Sequence, residues 1–285
     1  MPATPIFILG RHRSGTTWLG NILASVPEIH AVSHDYHRGV HESAYFSHLV
    51  PYCGNGRTEA DLRTIKRLFE RSDFFALSGM AQGPDIDGLG IPGYFRAVME
   101  EGSRRRGARY WLEKTPANTL HARYLADAFP DAVLIAVVRN HRDVVSSLVH
   151  GFDDPNSARR WLWQSMLTGV YEKIIERNRV VVVRYESLLA DYEGTVRAVL
   201  KALGIESDPV PRSAYAPNTS HQAVSPRIEW WQRCAIALGR GLVWPLPAAL
   251  VEWAVIRWRN RTPGSLPPWF FARREATARG EDPAA

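Results

Sequence analysis

Hydrophobic positions occur along the chain in blocks that predict strands, each followed by a helix. Residues 6–9 form a short apolar run that ends at Gly10, and residues 132–138 form a longer one, AVLIAVV. Continuous apolar runs of this length are typical of strands buried on both faces of a parallel sheet. Residues 110–112 and 180–183 predict two further buried strands. We therefore expect an α/β fold, with a parallel sheet and helices on both of its faces.

Apolar residues recur at helical spacing between and after these strands. The predicted helices are 59–71, 94–106, 154–178 and 192–203. Residues 31–93 predict an irregular, partly helical insert, and residues 209–272 a helical C-terminal extension. We predict one domain over residues 1–272 and a disordered polar end over 273–285.

Composition adds a charge bias to this picture. The 285 residues are 45% hydrophobic and carry a formal net charge of +6, which suits an anionic ligand but equally fits a general surface bias. No nucleic-acid-binding motif is recognisable, so we expect no nucleic-acid partner. The two cysteines, Cys53 and Cys234, form no disulfide framework, and the chain begins with no secretory signal pattern; both observations favour a cytoplasmic protein.

The turn after the first strand carries groups suited to holding an anion. Gly15 precedes a predicted helix, and the N–H groups of a helix N-terminus attract negative charge. The neighbouring groups that would assist are Arg13, Ser14, Thr16 and Thr17. No lysine follows Gly15, so this is not a Walker A loop, and an ordinary strand-turn-helix corner remains the alternative.

The string R-S-G-T-T-W resembles the 5′-phosphosulfate loop of sulfotransferases that use 3′-phosphoadenosine 5′-phosphosulfate (PAPS). The resemblance implies a P-loop-like sheet, and it implies that the residues of this string hold the phosphosulfate. They are Arg13, Ser14, Gly15, Thr16, Thr17 and Trp18. Arg13 stands where many members have lysine, and it would also stabilise charge during transfer.

Three later segments extend the resemblance. Residues 139–147 match the pattern R-N-x-x-D-x-x-x-S, in which Arg139 and Ser147 would bind the 3′-phosphate. Tyr185, in a V-x-Y-E-x-L string, would lie near the adenine. Arg227 would belong to a late basic loop that closes over PAPS, although the usual R-K-G string is missing.

The resemblance also implies two catalytic residues outside the phosphate loops. Lys114, in an E-K-T-P string, would act as an electrostatic catalyst. Glu42 lies in a segment similar to the one that holds the proposed base of heparan sulfotransferases. A surface lysine and a solvated glutamate remain the plain alternatives, and His41 and His37 are rival bases. We predict no metal site.

The sequence thus predicts a PAPS-dependent sulfotransferase that acts on a hydroxyl or amine. A kinase with a degenerate P-loop and a non-catalytic nucleotide-binding module are the alternatives. The acceptor stays open among small molecules, carbohydrates, lipids and peptides, and so does the oligomeric state. Six of the ten tryptophans follow residue 227, and residues 240–260 predict either packing against the domain or peripheral contact with a membrane.

Overall fold

A five-stranded parallel sheet forms the centre of the protein in the computed structural model, which describes residues 2–35, 38–214, 228–262 and 264–271. The described residues contain strands of this sheet and of a second, two-stranded one. In chain order they are β1 (Thr4–Gly10), β2 (Ile29–Ala31), β3 (Ser33–His34), β4 (Gly39–Val40), β5 (Tyr110–Lys114), β6 (Val133–Val138) and β7 (Val181–Arg184). The sheet has the order β2-β5-β1-β6-β7, and every neighbouring pair is parallel. Strands β3 and β4 pair with each other in antiparallel fashion.

Helices surround this sheet and continue past it. They are α1 (Thr16–Ala24), α2 (Val50–Tyr52), α3 (Glu59–Phe69), α4 (Asp73–Leu77), α5 (Gly90–Arg106), α6 (Ala122–Ala128), α7 (His141–Phe152), α8 (Ala158–Arg177), α9 (Tyr185–Ala190), α10 (Tyr192–Ala202), α11 (Trp230–Val243) and α12 (Ala248–Arg259). A π-helix covers Tyr45–Leu49, and short 3₁₀ turns cover Gly54–Gly56, Pro116–His121 and Pro268–Phe271.

Both faces of the sheet are buried, as the apolar runs predict. Along β1, Ile6 and Ile8 belong to one hydrophobic cluster, whereas Phe7 and Leu9 belong to another. Successive side chains of a strand point to opposite faces, so β1 contributes to two cores, one under each layer of helices. The predicted α/β fold with a helical C-terminal extension is confirmed.

Some boundaries differ from the prediction. Residues 180–183 were expected to be a buried strand, but β7 lies at the edge of the sheet and leaves Val182 51% exposed. The helix expected over 94–106 begins one turn earlier, at Gly90, and the helix expected over 154–178 begins at Ala158. Apolar periodicity defines the buried face of a helix more sharply than its ends.

The sheet order places three chemically important strand ends side by side. In the register of the sheet, Ile8 of β1 pairs with Lys114 of β5, and Gly10 pairs with Val137 of β6. The carboxyl ends of β1, β5 and β6 therefore meet at one edge. Ligands of parallel sheets bind at this edge, where the strands give way to loops.

Within the described ranges, no single helix is long and apolar enough to cross a membrane. Helices α11 and α12 satisfy the criteria of length and composition only as a pair, and their axes are bent by 93°.

Candidate active site

The turn after β1 is held by the sheet beneath it and by its own hydrogen bonds. Gly10 has a φ of +148°, and a Cβ here would lie 2.6 Å from the carbonyl oxygen of Val137. The backbone N–H and the hydroxyl of Ser14 both donate to the carbonyl oxygen of Arg11, at 3.0 and 2.7 Å. These two hydrogen bonds from Ser14 hold the turn in its conformation. The backbone around Gly10 leaves no space for a side chain at that position.

Helix α1 begins at the end of this turn with uncapped N–H groups. Its N-cap is Gly15, with a φ of 100°, a residue that has no side chain to cap the helix. Thr16 is buried and Thr17 is exposed at the start of the helix. Uncapped N–H groups and the positive end of the helix dipole favour an anion. The arrangement fits the phosphosulfate loop that the sequence predicts.

Arg13 and Arg139 bring the two predicted anion sites together. Arg13 has a φ of 73°, and its Nε donates to Oγ of Ser147 on α7 at 2.8 Å. Arg139, just after β6, donates from Nη1 to the carbonyl oxygen of Arg13 at 3.2 Å. Burial, and then the charge of Arg139, lowers the pKa of Arg13. An anion between these cations would offset their mutual repulsion.

Tyr185, the first residue of α9, forms the wall behind the loop. A Cβ on Gly15 would lie 2.5 Å from Cδ2 of this ring, so the two residues are in close contact. The guanidinium of Arg139 lies 4.6 Å from the ring centroid, and the Trp18 ring meets the same ring edge-on at 5.7 Å. The buried hydroxyl of Tyr185 has no hydrogen-bond partner among the described residues. Tyr185 and Trp18 thus belong to the site, and the adenine contact stays a prediction.

Lys114 and Glu42 form an ion pair at the end of β5. Nζ of Lys114 lies 2.8 Å from Oε1 of Glu42, and the two side chains are 3% and 22% exposed. The pair joins the strand end to the segment before the π-helix across 72 residues of sequence. The structure therefore brings together the two residues expected to be catalytic.

The charges around Glu42 favour its ionised form. Burial by itself raises the pKa of Glu42, but the ammonium of Lys114, with smaller contributions from His12 and His48 when these are protonated, outweighs it and holds the pKa below its usual value. The pKa of His12 falls to about 4, chiefly through burial, although Glu42 acts in the opposite direction. Glu42 is therefore a carboxylate at neutral pH, beside a neutral His12.

His12 and His48 were not predicted as site residues. His12 lies within the loop itself, between Arg11 and Arg13, and this position in the sequence could have marked it as a candidate site residue. His48 lies in the π-helix, which no sequence pattern predicted. Its pKa is lowered by burial, with Glu42 opposing, so His48 also stays neutral at pH 7.

Glu113 ties the Glu42 segment to the sheet. This carboxylate is fully buried and accepts hydrogen bonds from Ser43 Oγ at 2.7 Å, from Asn118 Nδ2 at 2.7 Å and from the Thr115 hydroxyl. Burial raises its pKa despite these three donors. Because Ser43 follows Glu42 directly, Glu113 positions the candidate base. Glu113 is the first residue of the E-K-T-P string, and this string was the available sequence signal for its role.

Three further residues of the prediction have different outcomes. The ring of His41 is buried, 6.2 Å from the Phe74 ring in a stacked arrangement and 5.5 Å from the Trp269 ring, which favours Glu42 over His41 as the base. His37 and Arg227 lie outside the described residues.

No group of three or more potential metal-ligating side chains occurs in the part of the chain that the structure describes.

A cavity of about 200 Å³ lies between α6, α8 and α12. Its lining includes His121, Tyr124 and Arg259. Burial, followed by the charge of Arg259, lowers the pKa of His121 well below its usual value. The 3₁₀ turn Pro116–His121 beside the cavity contacts the π-helix Tyr45–Leu49, which follows the segment that carries Glu42.

Comparisons with known proteins identify the family and the fold. The sequence profile of the sulfotransferase family matches residues 5–209. Protein-tyrosine sulfotransferase 2 of Gallus gallus is 28% identical over 217 residues, which are 70% of this chain and 51% of that protein. The chain thus spans about half the length of this curated relative.

Two solved structures share the fold. One is a sulfotransferase from Alicyclobacillus acidocaldarius, with a TM-score of 0.50 and 18% identity over 90% of this chain and 97% of that one. The other is the sulfotransferase domain of the Synechococcus PCC 7002 olefin synthase, with a TM-score of 0.50 and 17% identity over 93% and 97% of the two chains. At this identity they show the common fold alone.

Proposed function

This chain belongs to the sulfotransferase family, and we propose that it moves the sulfuryl group of PAPS to a hydroxyl or amine of an acceptor. The observation that carries the proposal is the junction of Arg13, Ser147 and Arg139. It joins the uncapped start of α1 to the corner after β6, so one ligand with two separated anionic groups can contact both.

The residues fit such a ligand chemically. The N–H groups at the start of α1, with Arg13 and Thr17, would hold the phosphosulfate. Arg139 and Ser147 would hold the 3′-phosphate, since a guanidinium binds phosphate oxygens through two parallel hydrogen bonds. Trp18 and Tyr185 offer aromatic surface beside these groups. Bound PAPS supplies a sulfuryl group that a nucleophile can take up as the bisphosphate leaves.

Glu42 and Lys114 divide the remaining chemistry. Glu42 takes the proton of the acceptor hydroxyl, so that the oxygen is a nucleophile when it forms its bond to sulfur. Lys114 and Arg13 stabilise the negative charge that gathers on the bridging oxygen as the sulfur–oxygen bond breaks. We propose that part of the acceptor binds in the cavity beside His121.

The direct test is transfer of labelled sulfate from PAPS to a panel of acceptors. The panel includes sugars, lipids and tyrosine peptides. The peptides are included because the similar protein from Gallus gallus is a protein-tyrosine sulfotransferase. Label in any acceptor, dependent on Glu42, supports the proposal. Transfer of phosphate from ATP with magnesium would instead identify a kinase. Tight bisphosphate binding without turnover across the panel would identify a binding module.

Nucleotide binding is tested separately by calorimetry with adenosine 3′,5′-bisphosphate. Arg13→Ala and Arg139→Ala should each weaken binding by about tenfold or more, because each removes a charged hydrogen-bonding partner of the ligand. The matched control is Arg142→Ala, an exposed arginine on α7. Unchanged affinity in both site variants would overturn the assignment of the nucleotide site.

A further inference from the structure

Helices α11 and α12 and the turn between them expose six large apolar side chains. They are 39% to 60% exposed and comprise Leu242, Trp244, Leu246, Leu250, Trp253 and Trp258. We call these six residues the apolar platform. Proteins rarely expose so many large apolar groups together unless the surface contacts a partner.

The helices that carry the platform are firmly attached to the rest of the protein. In α12, Val251 and Glu252 are buried, and a carboxylate oxygen of Glu252 accepts a hydrogen bond from Asn178 at the end of α8, at 2.9 Å. In α11, the carbonyl oxygen of Ile236 accepts a hydrogen bond from Ser165 of α8 at 2.7 Å. The platform is thus the outer face of two docked helices.

Cations surround the aromatic rings of the platform. The ammonium of Lys173 lies 4.8 Å from the ring of Trp244, and the guanidinium of Arg240 lies 4.9 Å from it. The guanidinium of Arg257 lies 5.5 Å from the ring of Trp253. Residues 228–262 contain five arginines and two glutamates, of which Glu252 is buried. Lys173 and Arg240 also pair with Glu176 and Glu172, at 3.2 and 3.9 Å. The platform therefore combines apolar surface with a border of basic side chains, part of whose charge these carboxylates offset.

We propose that the apolar platform docks onto the surface of an anionic lipid bilayer. Tryptophan favours the boundary between headgroups and acyl chains, and basic side chains at that depth attract anionic headgroups. Helices that bind in this way lie in the plane of the interface with their apolar side inward. The protein is then peripheral and held by α11 and α12. This inference does not depend on the proposed chemistry.

A second copy of the chain fits the platform less well. Symmetric dimers bring the same patch of both subunits together, so two surfaces that each carry Arg240 and Arg257 would face one another. An anionic bilayer instead complements these charges. The residues after 271 offer only alanine, glycine, proline, threonine and charged side chains, so their chemistry does not match the apolar platform either.

The experiment is flotation of the full chain with vesicles. We expect binding to phosphatidylcholine–phosphatidylserine vesicles, a blue shift of tryptophan fluorescence, and at least tenfold weaker binding to phosphatidylcholine alone. Binding should weaken as salt rises, because salt screens exposed charges. Equal binding to both vesicles, or to neither, would overturn the proposal, and so would resistance to extraction by alkaline carbonate, which indicates an integral protein.

Matched variants test the surface itself. Leu250→Ser and the double variant Trp253→Ser/Trp258→Ser should each lower vesicle affinity at least tenfold. Leu189→Ser is the control, since Leu189 is 57% exposed on α9 at the far edge of the sheet, and Leu250 is 48% exposed. A circular dichroism spectrum and a thermal unfolding curve equal to those of the parent protein show that the fold of each variant is intact. A dimer that dissociates in the platform variants, without vesicle binding, would assign the platform to a second copy.

Discussion

At the residue scale, the proposed mechanism gives Lys114 two opposing effects on Glu42. Lys114 keeps Glu42 ionised, as a base must be, but a carboxylate with a lowered pKa is a weaker base. An anionic donor beside Lys114 would compete with Glu42 for the ammonium. Donor binding should therefore raise the pKa of Glu42 and strengthen it as a base.

The pH dependence of turnover follows from this pair. A base must be deprotonated, so activity is present above the pKa of Glu42 and is lost as pH falls through it. Because the pKa of Glu42 is lowered in the free protein, kcat/KM for PAPS should fall only at pH values below the usual pKa of glutamate. Lys114→Met removes the main lowering charge and leaves burial, so the acid limb should move to higher pH. The measurement is the pH–rate profile of both proteins.

Two results complete that comparison. Glu42→Gln should lose about 10²- to 10⁴-fold in kcat and still bind adenosine 3′,5′-bisphosphate. An acid limb that stays in place in Lys114→Met would contradict the coupling of the two residues. Full turnover in Glu42→Gln would return the role of base to a histidine.

Glu113 is a positioning residue whose effect reaches catalysis through Ser43. Glu113→Gln removes the carboxylate that accepts three side-chain hydrogen bonds, and a buried donor left unpaired costs about 1–3 kcal/mol of unfolding free energy. We expect a lower kcat with unchanged bisphosphate affinity, measured by kinetics and calorimetry on the same samples. Glu59→Gln, at an 82% exposed side chain, is the control. A kcat equal to that of the parent protein would show that Glu113 is merely structural.

At the element scale, the strand, turn and helix of residues 4–24 form one anion-binding unit. The turn depends on a backbone path at Gly10 that only glycine adopts easily, beside a carbonyl that leaves no space for a Cβ. The unit is completed by α7, whose Ser147 accepts from Arg13. Its geometry is therefore sensitive to changes that leave every charged group in place.

Gly10→Ala tests this dependence. The strained φ and the contact with the carbonyl of Val137 should cost about 1–3 kcal/mol of unfolding free energy and should weaken bisphosphate binding. Gly88→Ala is the matched control, since a Cβ there meets nothing within 4 Å. Chemical denaturation measures both proteins. Equal stability of the two variants would mean that the turn tolerates a side chain.

At the scale of the whole molecule, the sheet order decides which loops share a site. Strand β1 lies between β5 and β6, so the turn after β1, Lys114 and Arg139 meet at one edge although they are distant in sequence. A ligand that contacts loops after several strands links those strands together. Its binding should therefore stabilise the entire fold and not only one loop.

Thermal unfolding measures this effect. Adenosine 3′,5′-bisphosphate at a hundred times its Kd should add about 2.7 kcal/mol to the free energy of unfolding and raise Tm by several degrees. The double variant Arg13→Ala/Arg139→Ala should show no rise, whereas Arg142→Ala should behave as the parent protein does. A full shift in the double variant would place the nucleotide elsewhere.

Much of the fold and of the phosphate sites follows from local patterns. The apolar runs at 6–9 and 132–138 specify strands because burial on both faces demands continuous apolar residues. The loop at 10–18 is likewise local, since a strand end, a glycine turn and a helix start are consecutive in the chain. Helix ends, the exposed edge at β7 and the π-helix were missed because they depend on neighbours that periodicity does not report.

The sequence alone determined the class of fold and the family resemblance, and it predicted the two anion-binding corners, since each depends on residues close together in the chain. Only the tertiary structure decided that Arg13 meets Ser147, that Glu42 pairs with Lys114, and that His12, His48 and Glu113 surround the pair. The reason is physical: spacing along the chain encodes which face of an element is buried, whereas strand order and packing set which distant side chains come within a few ångströms and share one electrostatic environment.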